Sequence, residues 1–139
     1  MSFANPSPDE IRALLARVKT IAVVGLSPRP DRPSHTVARA MQGYGYRIVP
    51  VRPAVAEVLG EKAYARLTDI PFHVDLVDVF RAAEHIPAVV EESIAIGAPA
   101  IWIQDGIVHA AAAERARAAG LTVVTDRCIY RDYVDLMTA

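Results

Sequence analysis

The sequence predicts an α/β protein with a doubly wound, mostly parallel sheet of five to six strands flanked by helices. Three observations carry that prediction. Short β-branched apolar runs recur along the chain, as strands buried on both faces require. They start roughly 25 residues apart, the length of one strand and one crossover helix. Most of the intervening segments read as helices that end at a glycine, and a strand begins almost at once afterwards.

The first element is a helix over about 8–18. Ser7 caps it, Pro8 takes the first helical position and Glu10 completes a capping box. Ile11, Leu14, Leu15 and Val18 then share one face. The strand runs follow in order: Thr20–Gly25 (TIAVVG), Tyr46–Val51 (YRIVPV), Asp75–Phe80 (DLVDVF), Ala100–Gln104 (AIWIQ) and Leu121–Thr125 (LTVVT). Between them, Val37, Met41 and Tyr44 mark one helical face, and that segment ends at Gly43 and Gly45. Ile86, Val89, Val90 and Ile94 mark another, ending at Gly97. The alanine-rich stretch from Ala110 to Ala119 ends at Gly120. Glu57 to Leu67 is less regular, with Lys62–Tyr64 a candidate short strand at the sheet edge. No linker, low-complexity tract or charge block divides the chain, so residues 1–139 read as one domain.

Composition narrows the function classes. The net charge is −1, from 15 basic and 16 acidic residues, which excludes a broad basic surface for nucleic acid. The mean hydropathy is +0.22. The longest uncharged stretch, Ser93–Gln104, is interrupted by Gly97 and Pro99 and is too short to span a bilayer. Residues 1–10 carry no basic region and no apolar core, so no signal peptide is expected and the chain reads as cytoplasmic. The lone cysteine, Cys128, excludes an internal disulfide framework and any multi-cysteine zinc site. Of the 15 basic residues only Lys19 and Lys62 are lysine.

Ligands of open parallel sheets bind outside the carboxyl ends of the strands. Arginine stands at four of the five predicted ends, as Arg29 and Arg32, Arg52, Arg81 and Arg127, a grouping that suits phosphate. In the first loop, Gly25 permits a tight turn and close backbone approach. Ser27 offers a hydroxyl and an N–H, and Ser34 is placed to cap the next helix. The loop carries neither G-x-G-x-x-G nor a Walker motif. The second strand ends in Arg52 where NAD enzymes carry an acid. That disfavours NAD and suits a ribose phosphate, the 2′-phosphate of NADP or the 3′-phosphate of coenzyme A.

The strings IAVVGLSPRPDRPSH, GYRIVPVRP, VDLVDVFR, AIWIQDGI and GLTVVTDRC, in this order over about 20–128, resemble the stand-alone CoA-binding proteins. These are single Rossmann-like domains similar to the CoA-binding domain of the succinyl-CoA synthetase α subunit. The resemblance implies that the Gly25–Ser34 loop (Gly25, Leu26, Ser27, Pro28, Arg29, Arg32 and Ser34, with His35 beside it) holds the CoA phosphates. Arg52-Pro53 and Val79-Phe80-Arg81 would flank the adenosine part, and Gln104 and Gly106 would line the pantetheine path. One departure is specific. Members of the family usually carry a phosphate lysine two positions after the residue matched by Arg52, and here that position is Ala54. Arg52, Arg29 or Arg32 is left to take its place.

No catalytic set is evident. Cys128 reads first as an inert core thiol and second as a partner for a mixed disulfide with CoA. His35 stands either by a phosphate or simply in the first helical turn. His73, His85 and His109 read as solvated, and none has metal-ligand spacing. Asp75 and Asp78 face opposite sides of their strand. Asp78, inside an apolar run, calls for a buried hydrogen-bond partner. Trp102 reads as core.

The favoured reading is a small, non-catalytic module that binds coenzyme A or an acyl-CoA. No second domain with a phosphohistidine is expected in the chain. The alternatives are an NADP-binding oxidoreductase-type protein and the CoA-binding subunit of a two-chain acyl-CoA synthetase. Exposed edge strands suggest a homodimer.

Overall fold

The computed structural model describes residues 3–138. Helix α1, Pro8–Arg17, starts as the sequence requires. Ser7 accepts from the Glu10 N–H, and the Glu10 carboxylate accepts from the Ser7 N–H. Then follow β1 (Thr20–Val24), α2 (Pro33–Gly43), β2 (Arg47–Val51), β3 (Glu57–Val58), β4 (Glu61–Lys62), β5 (Leu76–Val79), α3 (Ile86–Ala95), β6 (Ala100–Ile103), α4 (Ala110–Ala118), β7 (Thr122–Thr125) and α5 (Ile129–Met137).

The main sheet has five parallel strands in the order β2-β1-β5-β6-β7. The chain moves out from β1 to β2, then returns to β5 on the other side. The topological switch point therefore lies between β1 and β5, where such sheets bind ligands. Successive strand residues point to opposite faces, which builds two cores. Ile21, Val23, Leu76 and Trp102 pack under α1, α2 and α5. Ala22, Val24, Val77, Val79 and Ile101 pack under α3 and α4. The Trp102 indole N–H donates to the Arg127 carbonyl at 2.8 Å, which satisfies its polar atom within the core. Gly45, Gly97 and Gly120 follow three of the helices at positive φ, as the glycine signals predict.

Several local expectations are corrected. The expected edge strand at Lys62–Tyr64 is instead a two-residue antiparallel hairpin, β3–β4, followed by one parallel bridge from Tyr64 to Val51. That bridge uses the Pro50 carbonyl and the Arg52 N–H, so it covers the outer edge of β2. At the opposite edge, the Asn5 carboxamide exchanges two 2.8 Å hydrogen bonds with the main chain of Thr125 in β7, much as a neighbouring strand would. Both outer strands thus carry a cap, which narrows the route to a homodimer through free edges. Tyr44 is not part of the α2 core face. It lies beyond the helix, is exposed, and stacks on Tyr133 of α5 with ring centroids 4.0 Å apart. Helix α5 itself was not anticipated. Its signal was the spacing of Ile129, Tyr133 and Leu136, all packed on the α1–α2 side.

Among the described residues, no helix is long and apolar enough to cross a membrane, and no cluster of His, Cys, Asp and Glu is arranged to hold a metal ion.

Candidate functional site

A cleft of about 630 Å³ opens at the carboxyl edge of the sheet, over the switch point. Its walls come from the loop after β1, the end of β2 and the end of β5. Gly25 makes the turn possible. Its φ is +85°, and a Cβ there would sit 2.4 Å from the Phe80 carbonyl oxygen. Only glycine lets the β1 and β5 ends come this close. The main chain seals the junction, because the Phe80 N–H donates to Val24 and the Gly25 N–H to Val51.

Four arginines line the cleft: Arg29, Arg32, Arg52 and Arg81. Arg29 lies 3.3 Å from Asp31, and both are well exposed. Among the described residues, no carboxylate comes within ion-pair distance of Arg32, Arg52 or Arg81. The Arg52 guanidinium donates to the Gly25 carbonyl at 3.3 Å, which aims it from β2 toward the β1 loop. The N-terminus of α2 joins them, since Pro33 and Ser34 also line the cleft. The positive end of the α2 dipole and guanidinium forks on one concave surface suit a polyanion.

The structure brings together Gly25, Ser27, Pro28, Arg29, Arg32, Ser34, Arg52, Phe80 and Arg81 of the sequence-derived set. Pro53 lies on an adjoining recess shared with Arg52 and Arg81. Others stand apart. Leu26 and Val79 are core residues with no exposed surface. His35 is buried on α2, and its Nδ1 has no hydrogen-bond partner. Gln104 is buried too, its Oε1 accepting from the Ile129 N–H at the start of α5. Gly106 is exposed, with its N–H held by Asp126 Oδ1 at 2.8 Å. Ala82 and Ile107 line the cleft without having been singled out, because apolar side chains after strand ends carry no chemical signal.

Two roles change. Ser34 does not cap α2. Pro33 already starts that helix, with Arg32 at the cap position, and the Ser34 hydroxyl accepts from the Ser27 N–H at 3.0 Å. The Ser27 hydroxyl accepts from the Arg29 N–H. The loop is therefore braced internally, and the Ser27 N–H is already used. Arg127 does not belong to the arginine cluster. It donates twice to the buried carboxylate of Asp132, at 2.6 and 2.8 Å. Those bonds hold its pKa above the ordinary arginine value.

Several side chains serve the scaffold. His109 caps α4, its Nδ1 accepting from the Ala112 N–H. Asp75 accepts from the N–H groups of Lys19 and Thr20, near the start of β1 and away from the cleft. Cys128 is half-buried at the start of α5. Asp78 lacks the buried hydrogen-bond partner that its place in an apolar strand calls for. It is fully buried in β5 between Val23 and Trp102, and its Oδ1 has no donor. Burial pushes its pKa well above the ordinary carboxylate value. The folded chain then keeps a proton that the unfolded chain releases. The stability tied to this group is full below the unfolded pKa of about 4 and is lost as pH rises toward the folded value. Asp78→Val should raise stability at pH 8 by about 1–2 kcal/mol, several degrees in Tm. The gain should shrink toward pH 4 in thermal unfolding runs, and a gain independent of pH would contradict this account.

Comparison with known proteins agrees with this fold. The family model of the CoA-binding domain matches residues 19–133. Over 125 residues the chain is 49% identical to the uncharacterized protein YneT of Bacillus subtilis, covering 90% of this chain and 93% of that protein. The solved structure of a hypothetical protein from Pyrococcus horikoshii OT3 superposes with a TM-score of 0.92 at 35% identity, covering 99% of both chains. A stretch of 74 residues is 31% identical to acetate–CoA ligase [ADP-forming] I of Archaeoglobus fulgidus, 53% of this chain but 11% of that enzyme. With the parallel α/β sheet, the switch-point cleft and a family match across most of its length, this chain belongs to the CoA-binding domain family and has its Rossmann-like fold.

Proposed function

We propose that this protein binds coenzyme A, free or acylated, without covalent chemistry of its own. The observation that carries the proposal is the grouping of Arg29, Arg32, Arg52 and Arg81 on one cleft at the β1/β5 switch point. In this reading the β1 loop and the α2 N-terminus face the pyrophosphate, and Phe80 packs beside the adenosine part. Arg52 answers for the absent lysine at position 54. It rises from the strand end that carries the ribose-recognising residue in related folds. Ala54 is exposed with φ +62°, so it contributes no side-chain contact of its own.

The test is a thermal-shift panel with CoA, dephospho-CoA, NADP and NAD. A ligand that binds only the folded state stabilises it by about 2.7 kcal/mol at a hundred times its Kd. CoA should give the largest shift, dephospho-CoA a smaller one and NAD almost none. Arg52→Ala should erase most of the gap between CoA and dephospho-CoA. An NADP shift larger than that of CoA overturns the proposal, and an unchanged gap in Arg52→Ala removes Arg52 from the 3′-phosphate. The partial match to an ADP-forming acetate–CoA ligase favours one second reading, a CoA-binding subunit serving a separate catalytic chain. Co-purification of a second chain with the tagged protein, together with ligase activity, would support it.

A further inference from the structure

Among the described residues, the buried acids are Asp78 and Asp132. Arg127 answers Asp132. Nothing answers Asp78: its Oδ1 has no donor, and no cation of the described residues lies within ion-pair distance. It is 1% exposed in β5, between Val23 of β1 and Trp102 of β6. Its strand leads into the arginine cleft. Phe80 follows two residues on and Arg81 three, and both line the cleft, as does Gly25 two residues beyond Val23. A strand advances about 3.3 Å per residue, so Asp78 stands about 7 Å along the chain from Phe80.

Its register with Val23 and Trp102 turns the side chain toward the layer under α1, α2 and α5. The charged residues of α1 are exposed, as are Arg39 of α2 and Arg131 and Asp135 of α5. His35 of α2 is buried with its Nδ1 unpartnered, and Tyr46 donates to the Leu15 carbonyl. Cys128, Tyr130 and Tyr133 are half-buried. Among these buried and half-buried groups only His35 can gain a positive charge. A carboxylate in this layer opposes the nearby arginines through protein of low dielectric, where charges act more strongly than in water. We propose that Asp78 is a proton-operated control on the cleft: neutral, it leaves the field of the four arginines whole, and ionised, it cancels part of that field and weakens the hold on a polyanion. This goes beyond the CoA reading and rests on it for the ligand. Burial holds the Asp78 pKa well above the ordinary carboxylate value, so the change falls at a higher pH than for a surface acid. The sign follows from linkage. Affinity falls as pH rises, and a bound anion tightens the hold of Asp78 on its proton.

Isothermal titration calorimetry at about pH 5.5 and about pH 8.5 tests this, with the wild type, Asp78→Asn and Asp78→Val. Dephospho-CoA is the probe, because its diphosphate keeps one charge over this range while the 3′-phosphate of CoA titrates within it. At the lower pH the three proteins should bind alike. At the higher pH the wild type should bind about tenfold more weakly than either variant. The histidines are the same in all three, so their titration cancels in that ratio. The carboxyl resonance of Asp78, followed by NMR with 13C-labelled aspartate, should titrate within the same range, and saturating ligand should move its midpoint upward by the same factor. A wild-type-to-variant ratio that ignores pH, or a midpoint that ligand does not move, overturns the control and leaves the CoA reading standing. A loss of affinity that tracks loss of the circular dichroism signal assigns the effect to unfolding and also overturns it. Failure of the wild type to bind CoA at the lower pH overturns both readings.

Discussion

Gly25→Ala is expected to lower the thermal midpoint by more than about 8 °C and to abolish the CoA-dependent shift. Two costs combine at this position. The backbone has φ +85°, where a side chain other than glycine costs about 1–3 kcal/mol. The new Cβ would also lie 2.4 Å from the Phe80 carbonyl oxygen and 3.1 Å from Arg81 Cδ. Overpacking of this kind adds about 1–3 kcal/mol. Relief requires the β5 end to move away from β1, and that movement displaces Phe80 and Arg81 from the cleft. Gly120→Ala is the control. It has φ +97° with nothing within 4 Å of its Cβ position, so it carries the backbone strain without the clash. Its loss should be clearly smaller and its ligand response normal. Equal losses in the two variants would show that the close approach at Gly25 is unimportant.

Arg127→Ala should cost about 2–4 kcal/mol while leaving ligand affinity intact. Its partner Asp132 has a side chain only 3% exposed, in the first turn of α5. Removing the guanidinium leaves a buried carboxylate with no counter-charge. Breaking a wholly buried pair costs about 3–5 kcal/mol. The figure is lower here because the Arg127 side chain is 44% exposed and water can reach it. Urea unfolding should show a lower midpoint with an unchanged slope. Asp132→Leu combined with Arg127→Ala should recover most of the loss, because both charges are then gone. A variant of full stability with lost CoA affinity would place Arg127 back among the ligand-binding arginines. Arg52→Ala is the mirror case, with the advantage of CoA over dephospho-CoA lost and stability kept.

That contrast shows how much of the site was legible in the primary structure. Arg52 and Arg127 both follow a strand, and composition gives them equal standing. Only the fold separates them, because Asp132 lies five residues beyond Arg127 on a helix that returns to it, whereas among the described residues no acid returns to Arg52. Ser34 shows the same limit. Its position before an apolar stripe suited a cap, but Pro33 opened the helix one residue earlier, and the hydroxyl turned back to Ser27. The Gln104 carboxamide was expected along the pantetheine path and instead braces α5, a helix the sequence reading did not anticipate.

β-branched runs, regular spacing and terminal glycines are local signals, and they determined the parallel α/β architecture. They suffice because burial on both faces and crossover length act on every strand in the same way. Four of the five strand-end arginines that the sequence groups together do line one cleft. Tertiary structure decided which charges remain free and which strand edges are covered. Those outcomes depend on residues far apart in sequence, such as Asn5 with Thr125 and Arg52 with Gly25, and local periodicity holds no information about such pairings.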